Sequence, residues 1–244
     1  MHAVVPAAGR GSRLGSLTDD RPKPLVSVAG RPLLAHVLDT LAATDPDGYV
    51  VVTGYRGEQI RSQFGDSYRE TPIRYVSQPE PVGLADAIRR AREEIEERTP
   101  DDNTSEFVVC NGDNALRADL SRLCDSDAAA TLLVERVIPD QARTTGVVVT
   151  DEHGQVERVV EKPDDPPGRL VSAGAWRFTP VIADACRAID PASTGEYELA
   201  DAITHLVETG HRVDTVELAG ERVNVNEPAD LERAAAILDG NVSE

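Results

Sequence analysis

Apolar and polar positions follow one another along the first half of this 244-residue chain in a pattern that predicts alternating strands and helices. A short apolar run at residues 3–5 predicts a buried first strand, and the continuous run at 49–53 predicts a strand covered on both faces. Helical spacing of apolar residues over 33–41 predicts a helix between them, and a short helix over 54–64 and a strand at 73–76 follow. This order predicts a parallel α/β sheet whose ligands lie beyond the carboxyl ends of its strands.

The pattern changes after residue 128 to short apolar strands joined by turns, with a hairpin turn expected at 151–154. A longer strand is expected at 170–178, and helices are expected over 181–189 and 199–207. Upstream of this half, the polar segment 100–106 predicts a solvated loop. No internal repeat or low-complexity tract divides the chain, so one domain is predicted.

The loop between the first strand and the first helix carries the candidate chemistry. Gly9 and Gly11 let the backbone turn sharply and bring its N–H groups close to an anion, although an ordinary turn would use them equally well. Arg13 supplies a planar multidentate donor and Lys23 a compact charge, and both suit phosphate oxygens. Neither the GxxxxGK[ST] loop nor the dinucleotide-binding glycine spacing is present. We therefore predict a triphosphate-binding loop of another type.

The chain as a whole is strongly acidic, so the basic residues of this loop stand out from its composition. The formal net charge is −18, which argues against nucleic acid or an anionic membrane as a partner. Only two lysines, Lys23 and Lys162, occur among the 25 basic residues, and each stands in a short motif next to proline. Halophilic adaptation would explain the acidic, lysine-poor composition, and a GC-rich genome would explain the lysine shortage equally well.

Cysteine usage and hydropathy bear on the compartment. Cys110, Cys124 and Cys186 match neither a disulfide framework nor a zinc pattern, which favours a reducing cytoplasm. No apolar run approaches about 18 residues, so no membrane span is expected. The chain is predicted to be cytoplasmic.

The segments GRGSRLGSLT (9–18) and RPKPL (21–25) together resemble the signature of the sugar-phosphate nucleotidylyltransferases, which make nucleotide-sugars from an NTP and a sugar 1-phosphate. That family has a pattern close to LAAGxGTRLxPLT…PK, from which this chain departs at Pro6, Ser12 and Ser16. The resemblance extends over nearly the whole chain, with five motifs in the same order.

The resemblance implies an α/β fold, a three-layer αβα Rossmann-like nucleotidyltransferase with a mostly parallel mixed sheet and a small sugar-binding β lobe. It also implies one nucleotidyltransferase domain over 1–244. Residues 1–127 are expected to form its nucleotide-binding half and residues 128–244 its sugar-phosphate-binding half.

Nucleotide-binding positions also follow from the resemblance. The family carries Q-x4-G followed by alanine at its base-recognition loop, and Gln78 and Gly83 fit that pattern. From the local sequence alone, a polar loop before a helix is the better explanation, although a glutamine amide can pair with a base edge. The implied nucleotide-binding residues are Ala7, Ala8, Gly9, Gly11, Gln78 and Gly83.

The resemblance further implies a Mg²⁺ site. The family's metal-binding aspartate corresponds to Asp113, which follows a predicted buried strand at 106–110 and which ordinary turn chemistry would also explain. The family's second ligand, an aspartate, falls on Asn224, and Asn226 is the nearest substitute. Because an amide oxygen carries no charge, we expect the metal to be held less tightly before the nucleotide arrives.

The sugar-phosphate half contains five implied site residues: Gly146, Glu161, Lys162, Gly174 and Glu196. Glu161 and Lys162 alone would be an ordinary surface pair, but they follow a predicted strand and include one of the two lysines. Capping or packing would explain Glu196 equally well. Ser172 stands where many relatives have asparagine, so the identity of the sugar is left open.

The implied reaction is in-line attack by the sugar phosphate on the α-phosphorus of the NTP, assisted by the catalytic cations Arg13, Lys23 and Lys162. UTP or dTTP with glucose 1-phosphate is favoured. Guanylyl or cytidylyl transfer to another phosphorylated acceptor is the alternative enzyme. A nucleotide-sugar-binding regulatory subunit is the alternative from another class, supported only by Asn224. The oligomeric state is left open, with a homo-oligomer among the alternatives.

Overall fold

The computed structural model describes residues 1–98 and 106–239. The predicted loop at 100–106 therefore lies almost wholly outside the described residues. Within them the strands are β1 (His2–Ala7), β2 (Ser27–Val28), β3 (Arg31–Pro32), β4 (Gly48–Thr53), β5 (Ser67–Tyr68), β6 (Thr71–Ser77), β7 (Phe107–Cys110), β8 (Asn114–Arg117), β9 (Ala130–Arg136), β10 (Val147–Thr150), β11 (Val156–Val160), β12 (Leu170–Phe178), β13 (Val213–Glu217) and β14 (Glu221–Asn224). The α-helices are α1 (Leu33–Ala42), α2 (Gly57–Phe64), α3 (Leu84–Arg98), α4 (Pro139–Ala142), α5 (Ile182–Ala188), α6 (Leu199–Glu208) and α7 (Pro228–Leu238).

Two compact units divide the chain, and each is built from more than one segment. Unit 1 comprises Met1–Pro81, Val109–Leu120 and the described residues from Ala219 onward. Unit 2 comprises the described residues of Val82–Val108 together with Ser121–Leu218. The last strand and helix, β14 and α7, therefore belong to the unit that also contains β1.

Unit 1 contains the predicted parallel strands. β1 pairs in parallel with β4, and β4 pairs in parallel with β6, so that Thr53 lies opposite both Ala7 and Ser77. β1 and β4 are apolar and almost completely buried, as their sequences predicted. Because the three strands run in the same direction, the residues after Ala7, Thr53 and Ser77 leave the sheet together, at the carboxyl ends of the strands.

A second, smaller pairing completes unit 1. β14 runs antiparallel to β8, with Asn224 opposite Asn114, and α7 packs against both strands. α7 begins with Pro228 in its first turn and with a reciprocal capping box between Glu227 and Asp230, which explains why the helix starts there. The sequence pattern did not predict β8, because a strand of four residues directly after a turn gives too short a hydrophobic signal.

Unit 2 is built around β9 and β12, which pair antiparallel. β9 also pairs in parallel with β13, and β12 pairs antiparallel with β10, which in turn forms a hairpin with β11. α3, α5 and α6 pack against one another, and α6 packs on β11. The mixture of parallel and antiparallel strands with helices confirms the predicted α/β class.

The described residues contain no helix long and apolar enough to cross a membrane.

Candidate active site

The loop after β1 packs closely over the side chain of Lys23. Gly11 has φ +72, and a Cβ atom at this position would lie 2.7 Å from the Cβ of Lys23. The hydroxyl of Thr18 donates a hydrogen bond to the carbonyl of Gly11 (3.0 Å), as does the backbone N–H of Leu14 (3.0 Å). Gly11 is thus required both by its backbone angle and by the neighbouring lysine. Ala7 ends β1, and Ala8 and Gly9 lead from it into this loop.

Lys23 and three other predicted side chains form one hydrogen-bonded group. Its Nζ lies 2.8 Å from Oδ2 of Asp113 and 3.0 Å from Oδ1 of Asn226. Nη2 of Arg13 donates a hydrogen bond to the same Oδ1 of Asn226 (3.1 Å). We call Arg13, Lys23, Asp113 and Asn226 the Lys23 cluster. The lysine side chain is 9% exposed and the aspartate side chain 34%, so the cation is the more deeply placed partner.

Backbone hydrogen bonds hold Asp113 and Asn226 in place, the two residues whose side-chain oxygens accept hydrogen bonds from Lys23. The carbonyl of Asp113 accepts a hydrogen bond from the N–H of Val225 (2.9 Å), which links the turn after β7 to the end of β14. The N–H of Asn226 donates to Oδ2 of Asp230 in the first turn of α7 (2.9 Å). The amide of Asn226 is therefore held next to the carboxylate of Asp113 by the same helix cap that starts α7.

Asn224 lies two residues before Asn226 but in a different environment. It ends β14, and its Oδ1 is buried without a hydrogen-bond partner among the described residues. An unpaired buried amide oxygen is costly, and a metal ion or a water molecule can satisfy it. The residues that the structure describes include no group of three or more histidine, cysteine, aspartate or glutamate side chains able to hold a metal ion. The side-chain oxygens next to the Lys23 ammonium are those of Asp113 and Asn226.

Gln78 leaves β6 at the same sheet edge as the loop after β1. Its side chain is mostly buried, and its N–H donates to the carbonyl of Thr53 (2.7 Å). Gly83, in unit 2, has φ +113, and a Cβ there would lie 2.4 Å from the carbonyl oxygen of Tyr197. The N–H of Tyr197 also donates to Val82 (2.8 Å). Close packing on the backbone of Tyr197 thus accounts for the glycine, without reference to a ligand.

In unit 2, Glu161 and Lys162 follow directly after β11. Nζ of Lys162 lies 2.8 Å from Oε1 of Glu161, and the lysine backbone has φ +39, an unusual left-handed value for a residue with a side chain. Burial lowers the pKa of the Lys162 ammonium. The hydrogen bond that Lys162 donates to Glu161 and the charges of Glu161, Glu198 and Glu196 outweigh this effect, so the net pKa is raised above its ordinary value. Lys162 is therefore a permanent cation in an acidic setting.

Two further carboxylates interact with Glu161, those of Glu198 and Asp201, and the sequence pattern did not predict them. Burial raises the pKa of each, and the charge of Glu161 raises it further. Lys162 acts in the opposite direction on Glu198 and lowers its pKa. Both residues lie at the start of α6, two and five positions after Glu196.

Gly146 lies directly before β10, close to Glu161, and Gly174 lies within β12. A Cβ at Gly146 would lie 3.1 Å from Oε2 of Glu161, and the carbonyl of Gly146 accepts a hydrogen bond from the N–H of Ser172 (2.9 Å). Gly174 lies where the register between β12 and β9 shifts, between Ser172 and Trp176. Oγ of Ser172 and Nε1 of Trp176 are both buried without a hydrogen-bond partner among the described residues. Polar groups that could meet hydroxyls are thus present here.

Tyr55, which the pattern also missed, connects the loop after β1 to the start of α2. The guanidinium of Arg10 lies 5.1 Å from the centre of its ring, and that of Arg56 lies 5.4 Å away. The Tyr55 hydroxyl donates to the carbonyl of Asp19 (3.2 Å), and Arg56 donates to the carbonyl of Asp20 (3.1 Å). One aromatic ring thus contacts residues near both ends of the segment that carries Arg13.

If the loop after β1 binds a nucleotide, as the resemblance implies, Tyr55→Ala should raise the apparent KM for that nucleotide about fivefold, the effect of losing about 1 kcal/mol of cation–π and hydrogen-bond contact. Tyr55→Phe keeps the ring and should lie between this variant and the wild type. Tyr75→Ala is the matched control, because Tyr75 also stacks with an arginine, Arg61, and donates to a carbonyl, but contacts α2 and its C-terminal end instead. Steady-state kinetics that change equally in both alanine variants would contradict a specific role for Tyr55.

Comparison with known proteins gives consistent matches over most of the chain. The family model described as Nucleotidyl transferase matches residues 2–224. UTP–glucose-1-phosphate uridylyltransferase AglF of Haloferax volcanii is 40% identical over 238 residues, which cover 96% of this chain and 95% of that protein. Glucose-1-phosphate thymidylyltransferase of Streptomyces antibioticus is 30% identical over 237 residues; these cover 95% of this chain but 64% of that longer relative. A crystal structure of UDP-glucose pyrophosphorylase complexed with UDP-glucose superimposes with a TM-score of 0.84 at 20% identity, covering 99% of both chains.

Proposed function

This chain belongs to the nucleotidyl transferase family as a sugar-1-phosphate nucleotidylyltransferase with a Rossmann-like α/β fold, and from that premise we propose its substrates and the roles of its residues. The proposed reaction is Mg²⁺-dependent transfer of a uridylyl or thymidylyl group to glucose 1-phosphate. The observation that carries the residue assignments is the Lys23 cluster, in which two cations, a carboxylate and an amide converge after the glycine loop.

The chemistry needs positioning and charge stabilisation from the protein. An oxygen of the sugar 1-phosphate forms a bond to the α-phosphorus of the NTP, and the bond to the bridging oxygen breaks as pyrophosphate leaves. We assign the triphosphate to unit 1, where Arg13 and Lys23 neutralise its charge and that of the leaving pyrophosphate. The backbone of Ala7, Ala8, Gly9 and Gly11 is assigned to contacts with the same nucleotide.

The sugar 1-phosphate is assigned to unit 2. Lys162 is a permanent cation that suits its phosphate, and Glu161 and Glu196 supply carboxylate acceptors for sugar hydroxyls. Gly146 and Gly174 are assigned to close backbone contacts with the sugar. Because Asn226 comes from the predicted sugar half 128–244 but joins the cluster of unit 1, we assign ligands to units and not to halves of the chain.

A Mg²⁺ ion fits the donors of unit 1. Oxygen ligands suit this hard cation, and Asp113 with Asn226 would hold it, with the unpaired Oδ1 of Asn224 as a further donor. When bound, the ion would neutralise charge on the phosphates of the nucleotide.

The preference for UTP or dTTP and for glucose 1-phosphate is supported by the named activities of the two relatives, a uridylyltransferase and a thymidylyltransferase that both act on glucose 1-phosphate. Pyrophosphate release from ATP, CTP, GTP, UTP and dTTP, each with glucose 1-phosphate and with other sugar 1-phosphates, tests it. We expect the highest kcat/KM for UTP or dTTP with glucose 1-phosphate. Faster release from GTP or CTP would replace the proposal with the guanylyl or cytidylyl alternative.

Gln78 and Gly83 are assigned to recognition of the base, and Gln78 offers the cleaner test because Gly83 has a packing role. Gln78→Ala should reduce discrimination between NTPs more than it reduces kcat, since lost amide hydrogen bonds cost about 1–3 kcal/mol. The exposed Gln63→Ala in the same unit is the control. An equal loss for all NTPs, measured as kcat/KM, would remove Gln78 from base recognition.

We further propose that the protein works in the cytoplasm and in concentrated salt. The cysteines support a reducing compartment, because Cys110, Cys124 and Cys186 are free thiols and match no disulfide framework. The charge of −18 supports the second proposal, because salt screens repulsion between acidic side chains. The midpoint of thermal unfolding should then rise between low and molar KCl, and a constant midpoint would contradict salt adaptation.

A further inference from the structure

The oxygen atoms proposed to hold a divalent cation are already occupied by a side-chain cation. Nζ of Lys23 lies within hydrogen-bond distance of Oδ2 of Asp113 and Oδ1 of Asn226. A Mg²⁺ ion bound to those atoms would need distances of about 2.0–2.1 Å to them. The ammonium would then lie against a doubly charged ion, and the two repel each other. Lys23 and a metal ion therefore compete for the same two oxygens.

The balance of charge in the Lys23 cluster favours an anion as its first ligand. Arg13 and Lys23 contribute two positive charges, Asp113 contributes one negative charge, and the amide of Asn226 contributes none. The net charge of the cluster is thus +1. Lys23 is also held in place, because its side chain is mostly buried and packs directly against the backbone of Gly11. Its ammonium does not leave the two oxygens without another acceptor nearby.

We propose that Lys23 excludes a divalent cation from the free enzyme, so that the metal ion enters with the triphosphate and not before it. This inference rests on the proposed function of unit 1. The oxygens of a triphosphate would accept hydrogen bonds from Lys23 and Arg13, and this exchange releases Oδ2 of Asp113 and Oδ1 of Asn226. Lys23 is then a gate for the metal as well as a ligand for the nucleotide.

The test measures binding of Mn²⁺ to the free protein by the EPR signal of the unbound ion, without substrates. Lys23→Met removes the ammonium and keeps the length of the side chain. We expect it to tighten Mn²⁺ binding at least about tenfold, the scale of removing a like charge from a partly buried site. Arg158→Met removes an exposed cation of unit 2 and changes the net charge equally, so it controls for a general electrostatic effect. The double variant Lys23→Met with Asp113→Asn should not show this tighter binding of Mn²⁺.

Wild-type protein provides an outcome that does not depend on the folding of a variant. It should bind Mn²⁺ weakly when free and at least about tenfold more tightly with α,β-methylene-UTP present, beyond binding of the ion by the analogue alone. Tight binding by the free wild type that Asp113→Asn abolishes would overturn the proposal, as would equal affinities of wild type and Lys23→Met. Neither measurement needs turnover, so failure of the exclusion is distinguishable from failure of the proposed reaction, which the pyrophosphate assay reports.

Discussion

Asp113→Asn is expected to lower the rate of nucleotidyl transfer by at least about 10²-fold, a typical loss for one electrostatic catalytic group. Asp113 supplies the single negative charge of the Lys23 cluster, and its replacement leaves Arg13 and Lys23 facing only amide oxygens. The measurement is kcat as a function of Mg²⁺ concentration. Asp45→Asn is the control, because Asp45 is an exposed aspartate of unit 1 whose positive φ asparagine also tolerates.

The same titration identifies the second metal ligand. We expect Asn226→Asp to lower the Mg²⁺ concentration that gives half the maximal rate. The side-chain amide of Asn226 and the carboxylate of Asp113 both accept hydrogen bonds from the ammonium of Lys23, so the two groups lie close together. A second carboxylate there would strengthen attraction for a hard cation. If Asn224→Asp shifts the Mg²⁺ dependence and Asn226→Asp does not, the buried oxygen of Asn224 is the ligand. A kcat of Asp113→Asn close to that of the wild type would exclude Asp113 itself.

Lys162→Met should lower kcat/KM for glucose 1-phosphate by about 10²-fold and leave binding of the NTP nearly unchanged. Removing Lys162 deletes the cation proposed for the sugar phosphate and leaves Glu161, Glu196 and Glu198 to repel that phosphate. The raised pKa of the Lys162 ammonium means that it stays charged throughout the neutral range, so the loss should not depend on pH there.

Titration calorimetry with each substrate separately checks this assignment. Arg158→Met is the matched control, since Arg158 is an exposed cation on β11, the strand that ends just before Lys162. Lys23→Met should instead weaken binding of the nucleotide and of pyrophosphate. Identical binding defects in the two lysine variants would contradict the separation of their roles.

The strands and the signature loop could be predicted from the sequence because their signals are local. β1, β4 and β12 are nearly continuous apolar runs, and their bounds differ from the predicted ones by at most two residues. The convergence of Arg13, Lys23 and Asp113 could be predicted only because the order of motifs resembled a known family. No local rule brings residues 90 positions apart into contact.

The choice between Asn224 and Asn226 shows where such reasoning ends. The two residues are two positions apart, and their environments depend on the register of β14 against β8 and on the cap of α7. That cap uses Asp230, whose carboxylate was not distinguishable from other acidic residues in the sequence. The packing role of Gly83 could not be predicted either, because the residue that requires a glycine there, Tyr197, is more than 100 positions away.

The burial of one lysine and the exposure of the other make this chain unusually simple to label. The side chain of Lys23 is 9% exposed, while that of Lys162 is 59% exposed, and there is no third lysine. An amine-directed reagent therefore meets one accessible lysine side chain, at the position assigned to the sugar phosphate. The extent of its modification then becomes a direct gauge of occupancy there, read by mass spectrometry without following the reaction at all.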